Sequence, residues 1–332
     1  MRNPTLLGRR DLVDVVRPVH PVASVHLGPP SDVPWPDRLD AVVGELRRDG
    51  ADEATVRDLH TAVPTDPGTP VVVFADGGHV PAVYATPGRT GPDTARFTAP
   101  AHVLPLMAWS QERPPCVVVV AGRDHVKVST AGDGVEPGPV RCAPADVPEV
   151  SRAALDRIGA RLVVVCGDDL LVGVLRAALA PDATVRRTAR PWGERLADVA
   201  RSTSRLWTAQ SLADLAGQSP ERAVRGVEAT LDALARSRVR ELLVVSPPPP
   251  GGTAWFGSRA AQVARRTATP GTGAVVDVAP PWSRGEGTAV DVAVRSALVG
   301  GASVRVLRPG TPGTPVGGIG ALCRFPLTVV RP

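Results

Sequence analysis

Short runs rich in valine recur along the chain, separated by clusters of glycine, proline and aspartate. Apolar runs of four to eight residues bounded by such turn-formers predict strands. They fall at 22–27, 71–75 and 80–85, then at 116–120, 125–129, 162–166 and 184–187, then at 241–245, 274–278 and 303–307. Asp76-Gly77-Gly78 and the 122–124 turn each separate two such runs, and glycine tolerates the positive φ of a tight hairpin. Helical spacing lies between the strands, at 35–63, 149–158, from Asp168 or Asp169 to 179, from Pro191, from Ser258 and at 286–299. Ser219-Pro220 predicts a further helix start, a hydroxyl cap followed by proline, with Val224, Val227, Leu231 and Leu234 on the buried face. On the helix from Pro191, a 3.6-residue period gives Trp192, Leu196, Val199, Thr203 and Leu206 one packed face. Arg195, Asp198, Ser202 and Arg205 lie on another. Strand and helix alternate, which predicts an α/β fold with a largely parallel middle sheet. A length of 332 residues suits three α/β domains, placed at 1–113, 114–217 and 218–332.

Composition sharpens this picture in two ways. Glycine (33) and proline (36) make up about a fifth of the chain, so the domains are loop-rich, but 43% apolar content is enough for packed cores. The 38 basic residues outnumber the acidic ones by five, and apart from Lys127 they are arginines. Guanidinium groups bind phosphate through a bidentate fork, so an acidic partner such as RNA is favoured. Lys127 follows no glycine-rich turn, which excludes a P-loop, and its alternating strand context argues against a Schiff-base enzyme. Cys116, Cys142, Cys166 and Cys323 have neither the spacing of a zinc site nor that of a disulfide framework, and Cys116 and Cys166 read as core. Two arginines and an aspartate come before any apolar stretch at the N-terminus, and no apolar run approaches a membrane span. A cytoplasmic protein with no membrane partner is expected.

Candidate chemistry is sparse. Gly317-Gly318-Ile319-Gly320 has the look of a dinucleotide turn, but Phe325-Pro326 leaves no room for the long helix that would face a pyrophosphate. The glycines read instead as a close turn before a last edge strand, and as a partner-binding loop. One of Asp168 and Asp169 caps the following helix, since no third ligand at readable spacing makes them a metal site. His20, His26, His60, His79, His102 and His125 are scattered, with no Gly-x-Ser-x-Gly elbow beside them. Arg186, Arg187 and Arg190, followed by Arg195, Arg201 and Arg205, form the densest basic segment and the best candidate for binding RNA phosphates.

The motifs also occur in a recognisable order. Val22-Ala23-Ser24-Val25-His26-Leu27 opens the chain, and Arg161-Leu162-Val163-Val164-Val165-Cys166-Gly167-Asp168 lies in the middle. Gly300-Gly301-Ala302-Ser303-Val304-Arg305-Val306-Leu307 with Gly317-Gly318-Ile319-Gly320-Ala321-Leu322 closes it. Taken together they resemble the bacterial branch of the archaeo-eukaryotic release factor superfamily, the Pelota- and Balon-like proteins. The resemblance implies an RNase H-like middle domain and a C-terminal domain of the release-factor domain-three type. It further implies binding in the ribosomal A site, in stress or hibernation, with the ribosome or ribosomal RNA and a translational GTPase as partners and no cofactor, metal or DNA. Release factors of this superfamily carry Gly-Gly-Gln in the central domain, and this sequence has none. The loop before the first central helix, 141–149, is short, with prolines and acids, where bacterial relatives often carry a long basic and aromatic one. A non-catalytic factor is therefore expected. The contrasting readings are an α/β enzyme or ligand-binding protein using the carboxyl ends of its parallel strands, and a protein–protein adaptor.

Overall fold

The computed structural model describes residues 9–64, 68–78, 82–131, 138–190, 192–249, 251–265 and 284–325. The described chain falls into two compact units, 9–109 with 210–332, and 110–209. The expected strand at 274–278, the start of the 80–85 strand and Pro191 lie outside the described residues.

The second unit contains β5 (Cys116–Ala121), β6 (Val126–Ala131), β7 (Val140–Cys142), α5 (Val147–Ile158), β8 (Leu162–Cys166), α6 (Asp169–Leu179) and β9 (Thr184–Arg187). The first turns of α7 (Gly193–Gly217) complete it. Its sheet runs β7-β6-β5-β8-β9, antiparallel through β7, β6 and β5 and parallel through β5, β8 and β9. This is the RNase H-like order, mixed rather than largely parallel, because the 116–131 segment closes as a hairpin with Gly122 N–H donating to His125 O at 2.9 Å. The unbroken apolar run of β8 is explained by helices on both faces. Val163 and Val165 face α5 and α6, while Leu162 and Val164 face Leu196, Val199, Ala200 and Trp207 of α7. Each such valine or leucine contributes about 1.5–3 kcal/mol through burial.

The first unit opens with α1 (Arg9–Val16), β1 (Val22–Leu27), α2 (Trp35–Arg48) and α3 (Glu53–Ala62). The expected 35–63 helix is thus two helices, with Asp52 capping the second by accepting from Thr55 N–H at 2.8 Å. Strands β2 (Val71–Ala75), β3 (Ala82–Ala85) and β4 (Thr94–Thr98) join β1 in an antiparallel sheet of order β3-β2-β1-β4. Ala23, Val25 and Leu27 face α2 and α3, so Ser24 and His26 face the other way. Helix α4 (Leu104–Gln111) follows.

The rest of this unit departs from the sequence reading at two helices. Ser219-Pro220 starts no helix: Ser219 O accepts from Arg222 and Ala223 N–H, and the chain runs directly into β10 (Ala223–Arg225). Helix α8 (Val227–Ala235) begins only after Gly226, whose φ is +85°, so Val224 is a strand residue while Leu231 and Leu234 are buried as expected. No helix starts at Ser258; instead β12 (Thr253–Phe256) and β13 (Val263–Arg265) pair as antiparallel strands. They join β14 (Gly285–Thr288), which takes the first turn of the helix expected at 286–299, leaving α9 (Ala289–Val299). A four-stranded sheet, β10-β16-β11-β15, uses β11 (Val239–Val245), β15 (Ser303–Leu307) and β16 (Ile319–Cys323), with β11 and β15 parallel. Every residue of α9 from Ala289 to Leu298 is buried, so its polar side chains must find internal partners.

Candidate nucleic-acid interface

The arginine segment lies where β9, an edge strand, turns into α7. Strand periodicity divides its first two members. Arg186 pairs in register with Val164 and so shares the α7 side of the sheet; Arg187 pairs with Val165 and shares the α6 side. There Arg187 Nη1 reaches Asp169 Oδ1 at 2.7 Å, an exposed ion pair. Arg201 is similarly engaged with Asp198, at 3.1 Å one helical turn away. Arg190, Arg195 and Arg205 are exposed and Arg186 half-buried, and among the described residues none of the four has an ion-pair partner. Arg195, Ser202 and Arg205 share the outward face of α7 with Asp198, as the helical period predicts. The opposite face differs from expectation. Ala200, Thr203, Ser204 and Trp207 pack inward, whereas Trp192 (63% exposed) and Leu206 (41%) are at the surface. The inward stripe is held by polar anchors: Ser204 Oγ donates to Gln111 O at 2.6 Å, and Trp207 Nε1 to Thr184 Oγ1 at 3.1 Å.

Exposed guanidinium groups on the β9-to-α7 turn and along the outward face of α7 are the kind of group that contacts phosphate oxygens. The other candidates take structural places. Asp168 caps α6, accepting from Leu171 N–H at 2.9 Å. Lys127 points outward from β6 between buried Val126 and Val128. Gly317 (φ +70°) and Gly318 (φ +72°) make the turn into β16, which is an interior strand and not the edge strand expected. A Cβ at Gly318 would meet the Pro249 ring at 2.7 Å, and Gly318, Ile319 and Gly320 are all buried. Only Gly317 of the four is exposed, beside exposed Val316. Among the described residues, no group of three histidines, cysteines and acids could hold a metal ion, and no helix is long and apolar enough to cross a membrane.

One polar cluster escaped sequence reasoning. His102 Nδ1 lies 2.9 Å from Asp291 Oδ1, and both residues are buried. Thr288 caps α9, accepting from Asp291 N–H at 3.1 Å and donating to Asp291 Oδ2 at 2.8 Å. Ser24 Oγ accepts from His102 N–H at 3.0 Å. His26, 1% exposed, has no hydrogen-bond partner for either ring nitrogen among the described residues, and burial, with Arg89 adding to it, pushes its pKa down to about 3. One turn along α9 from Asp291, fully buried Arg295 donates to Arg17 O at 2.9 Å and stacks over Phe256; burial lowers its pKa to about 10. The cluster acts as a clamp joining the 99–103 loop, β1 and α9. Thr288-x-x-Asp291 was readable as a capping box, but its link to His102 spans 189 residues and left no local signal.

No protein-family model and no curated protein matches the chain. Among solved structures it is similar to Pelota of Archaeoglobus fulgidus, at 12% identity and a TM-score of 0.31, over 98% of this chain and 97% of that one. It is similar to Dom34 of S. cerevisiae, described as a translation termination-like factor, at 8% identity and a TM-score of 0.40, over 97% and 94%. It is also similar to the archaeal translation termination factor aRF1, at 14% identity and a TM-score of 0.24, over 97% and 100%.

Proposed function

We propose that this protein is a non-catalytic, ribosome-associated factor of the release factor superfamily, acting in the cytoplasm at the ribosomal A site in stress or hibernation. The observation that carries this reading is the corner formed by Arg186, Arg190, Arg195 and Arg205, with no ion-pair partner among the described residues. The ordered sequence motifs and the RNase H-like sheet order support it. In this reading the chain has three domains, 1–113, 114–217 and 218–332, the last of the release-factor domain-three type. Ribosomal RNA is held by the arginines, with Arg187 and Arg201 contributing once their carboxylate partners are displaced. A translational GTPase is the second partner, and in the 317–320 loop Gly317 and the adjacent Val316 offer the exposed surface for a protein contact.

The absent Gly-Gly-Gln removes the group that places the attacking water, so the protein binds without releasing peptide. Co-sedimentation with purified ribosomes is the test, paired with a peptide-release assay on ribosomes carrying peptidyl-tRNA. Saturable pelleting with release at the buffer rate is expected. Absence of pelleting at low salt would overturn ribosome binding, and accelerated release would overturn the non-catalytic reading.

A further inference from the structure

The described tryptophans behave in two ways. Trp35 stacks against Arg38 at 5.4 Å, and Trp255 against Arg284 at 5.2 Å. Trp109 Nε1 donates to Pro87 O at 3.3 Å, and Trp207 has both Thr184 and the Arg161 guanidinium. Trp192 has no hydrogen bond or ring contact among the described residues and is 63% exposed. An indole is the largest apolar side chain and is buried on average, so leaving one in water forgoes stabilisation that folding would otherwise gain. Its position compounds the oddity. It immediately precedes α7, whose first residue, Gly193, has φ of +61°, and exposed Arg190 and Arg195 flank it in sequence. Between 186 and 205 the chain carries six arginines against two carboxylates, Glu194 and Asp198, and Asp198 is already paired with Arg201. A bare apolar partner would gain nothing from that charge, whereas a nucleotide strand uses both features at once, its bases against the ring and its phosphates against the guanidinium groups.

We propose that Trp192 is a stacking platform for an unpaired base of single-stranded RNA, with Arg190 and Arg195 holding the phosphates on either side. This rests on the RNA-binding reading of the same corner and adds to it the form of RNA recognised. Aromatic faces stack on unpaired bases with little sequence preference, whereas a duplex keeps its bases stacked on each other and offers only phosphates. The surface therefore discriminates single-stranded loops from helices, which arginines alone do not do.

The full-length protein is titrated against a fluorescein-labelled single-stranded RNA of about 12 nucleotides and a hairpin-free duplex of equal length, by anisotropy. Trp192→Ala weakens single-strand binding about 5- to 150-fold, the range found for loss of one base-aromatic stack. It leaves duplex affinity and the salt slope unchanged, because the indole carries no charge. Trp192→Phe keeps most of the affinity. Because Trp192 is exposed, neither variant unfolds, and a thermal melt confirms this. The parent's tryptophan emission is quenched on binding, and the quench is largely lost in Trp192→Phe. If Trp192→Ala binds single strands as the parent does, while Arg190→Ala/Arg195→Ala loses affinity, stacking is wrong and the arginine reading survives. Equal weakening toward single strand and duplex likewise overturns stacking. If the parent binds neither RNA, both this proposal and the reading beneath it fail.

Discussion

Replacing Gly287 with alanine tests the clamp in the first unit most sharply. Gly287 sits in β14, paired with Ala254 of β12 on one side, and its backbone is pressed against the 99–100 segment on the other. An added Cβ would lie 2.0 Å from Ala99 O and 2.9 Å from Pro100 Cδ. Ordinary carbon–oxygen contact is more than an ångström longer than the first of these distances. Backbone blocks the way, so no side-chain rotation relieves the overlap, and β14 or the 99–103 loop must move. Overpacking of this kind costs about 1–3 kcal/mol. The displaced strand also carries the Thr288 cap, whose loss adds about 1 kcal/mol. The total of about 2–4 kcal/mol lowers the melting temperature of a unit of this size by about 4–16 °C. Gly44 and Gly173 are the controls: both lie inside helices with nothing within 4 Å of a built Cβ, so alanine there stabilises by about 0.5–1 kcal/mol. Calorimetry on the three variants, with amide exchange at 99–103, distinguishes them. A Gly287→Ala protein that melts with the parent, with unchanged protection at 99–103, would refute the close approach and the clamp built on it.

Other consequences follow from buried charge. In the folded protein His26 stays neutral down to about pH 3, while in the unfolded chain it takes up a proton near 6.5, so its contribution to stability is full above pH 6.5 and is lost as pH falls. That loss reaches about 2 kcal/mol at pH 5, and urea melts at pH 7 and 5 should show it shrinking in His26→Leu; identical pH dependence in variant and parent would count against it. Burial raises the Asp93 pKa, but the Arg38 fork (2.6 and 2.7 Å) and the Gly28 N–H (2.7 Å) outweigh it and hold the carboxylate below its usual range. Arg38→Ala should therefore cost about 2 kcal/mol at neutral pH by denaturant titration, and a cost near zero would mean the pair is solvated.

Strands whose residues are buried on both faces were the most legible elements. β1, β2 and β8 match their sequence bounds residue for residue because a short apolar run between turn-formers has few other uses. The helix expected at Ser219-Pro220 failed because Ala223 and Val224 are claimed by β16, about a hundred residues away, a pairing that local propensity cannot see. The residues after Ser258 failed for a local reason, a hairpin that returns the chain onto β12 with Gly257 N–H donating to Gln262 O at 2.8 Å. At the candidate interface the arginines themselves were legible, but their sorting was not. That Arg187 turns toward Asp169 while Arg186 turns the other way depends on which sheet face meets α7. The exposure of Trp192 ran against its helical period, which assumed that the packed face extends to the helix start, whereas the packed stripe begins at Leu196.

The most direct test of ribosomal RNA binding through the arginine corner is the salt dependence of ribosome affinity, compared between the parent and Arg186→Ala/Arg190→Ala/Arg195→Ala/Arg205→Ala. Each neutralised phosphate contributes about 0.7–0.9 to the slope of log affinity against log salt, so the variant's slope should flatten by about three units. Its affinity should fall at low salt while its melting temperature stays within about 2 °C of the parent's, since these side chains anchor no core contact. Arg187→Ala, which removes a guanidinium that must first give up Asp169, should flatten the slope by clearly less than the roughly 0.7 of one full phosphate contact. A folded quadruple variant with the parent's affinity and slope would show that this corner is only a solvated basic face, and would contradict the proposed function at its main physical support.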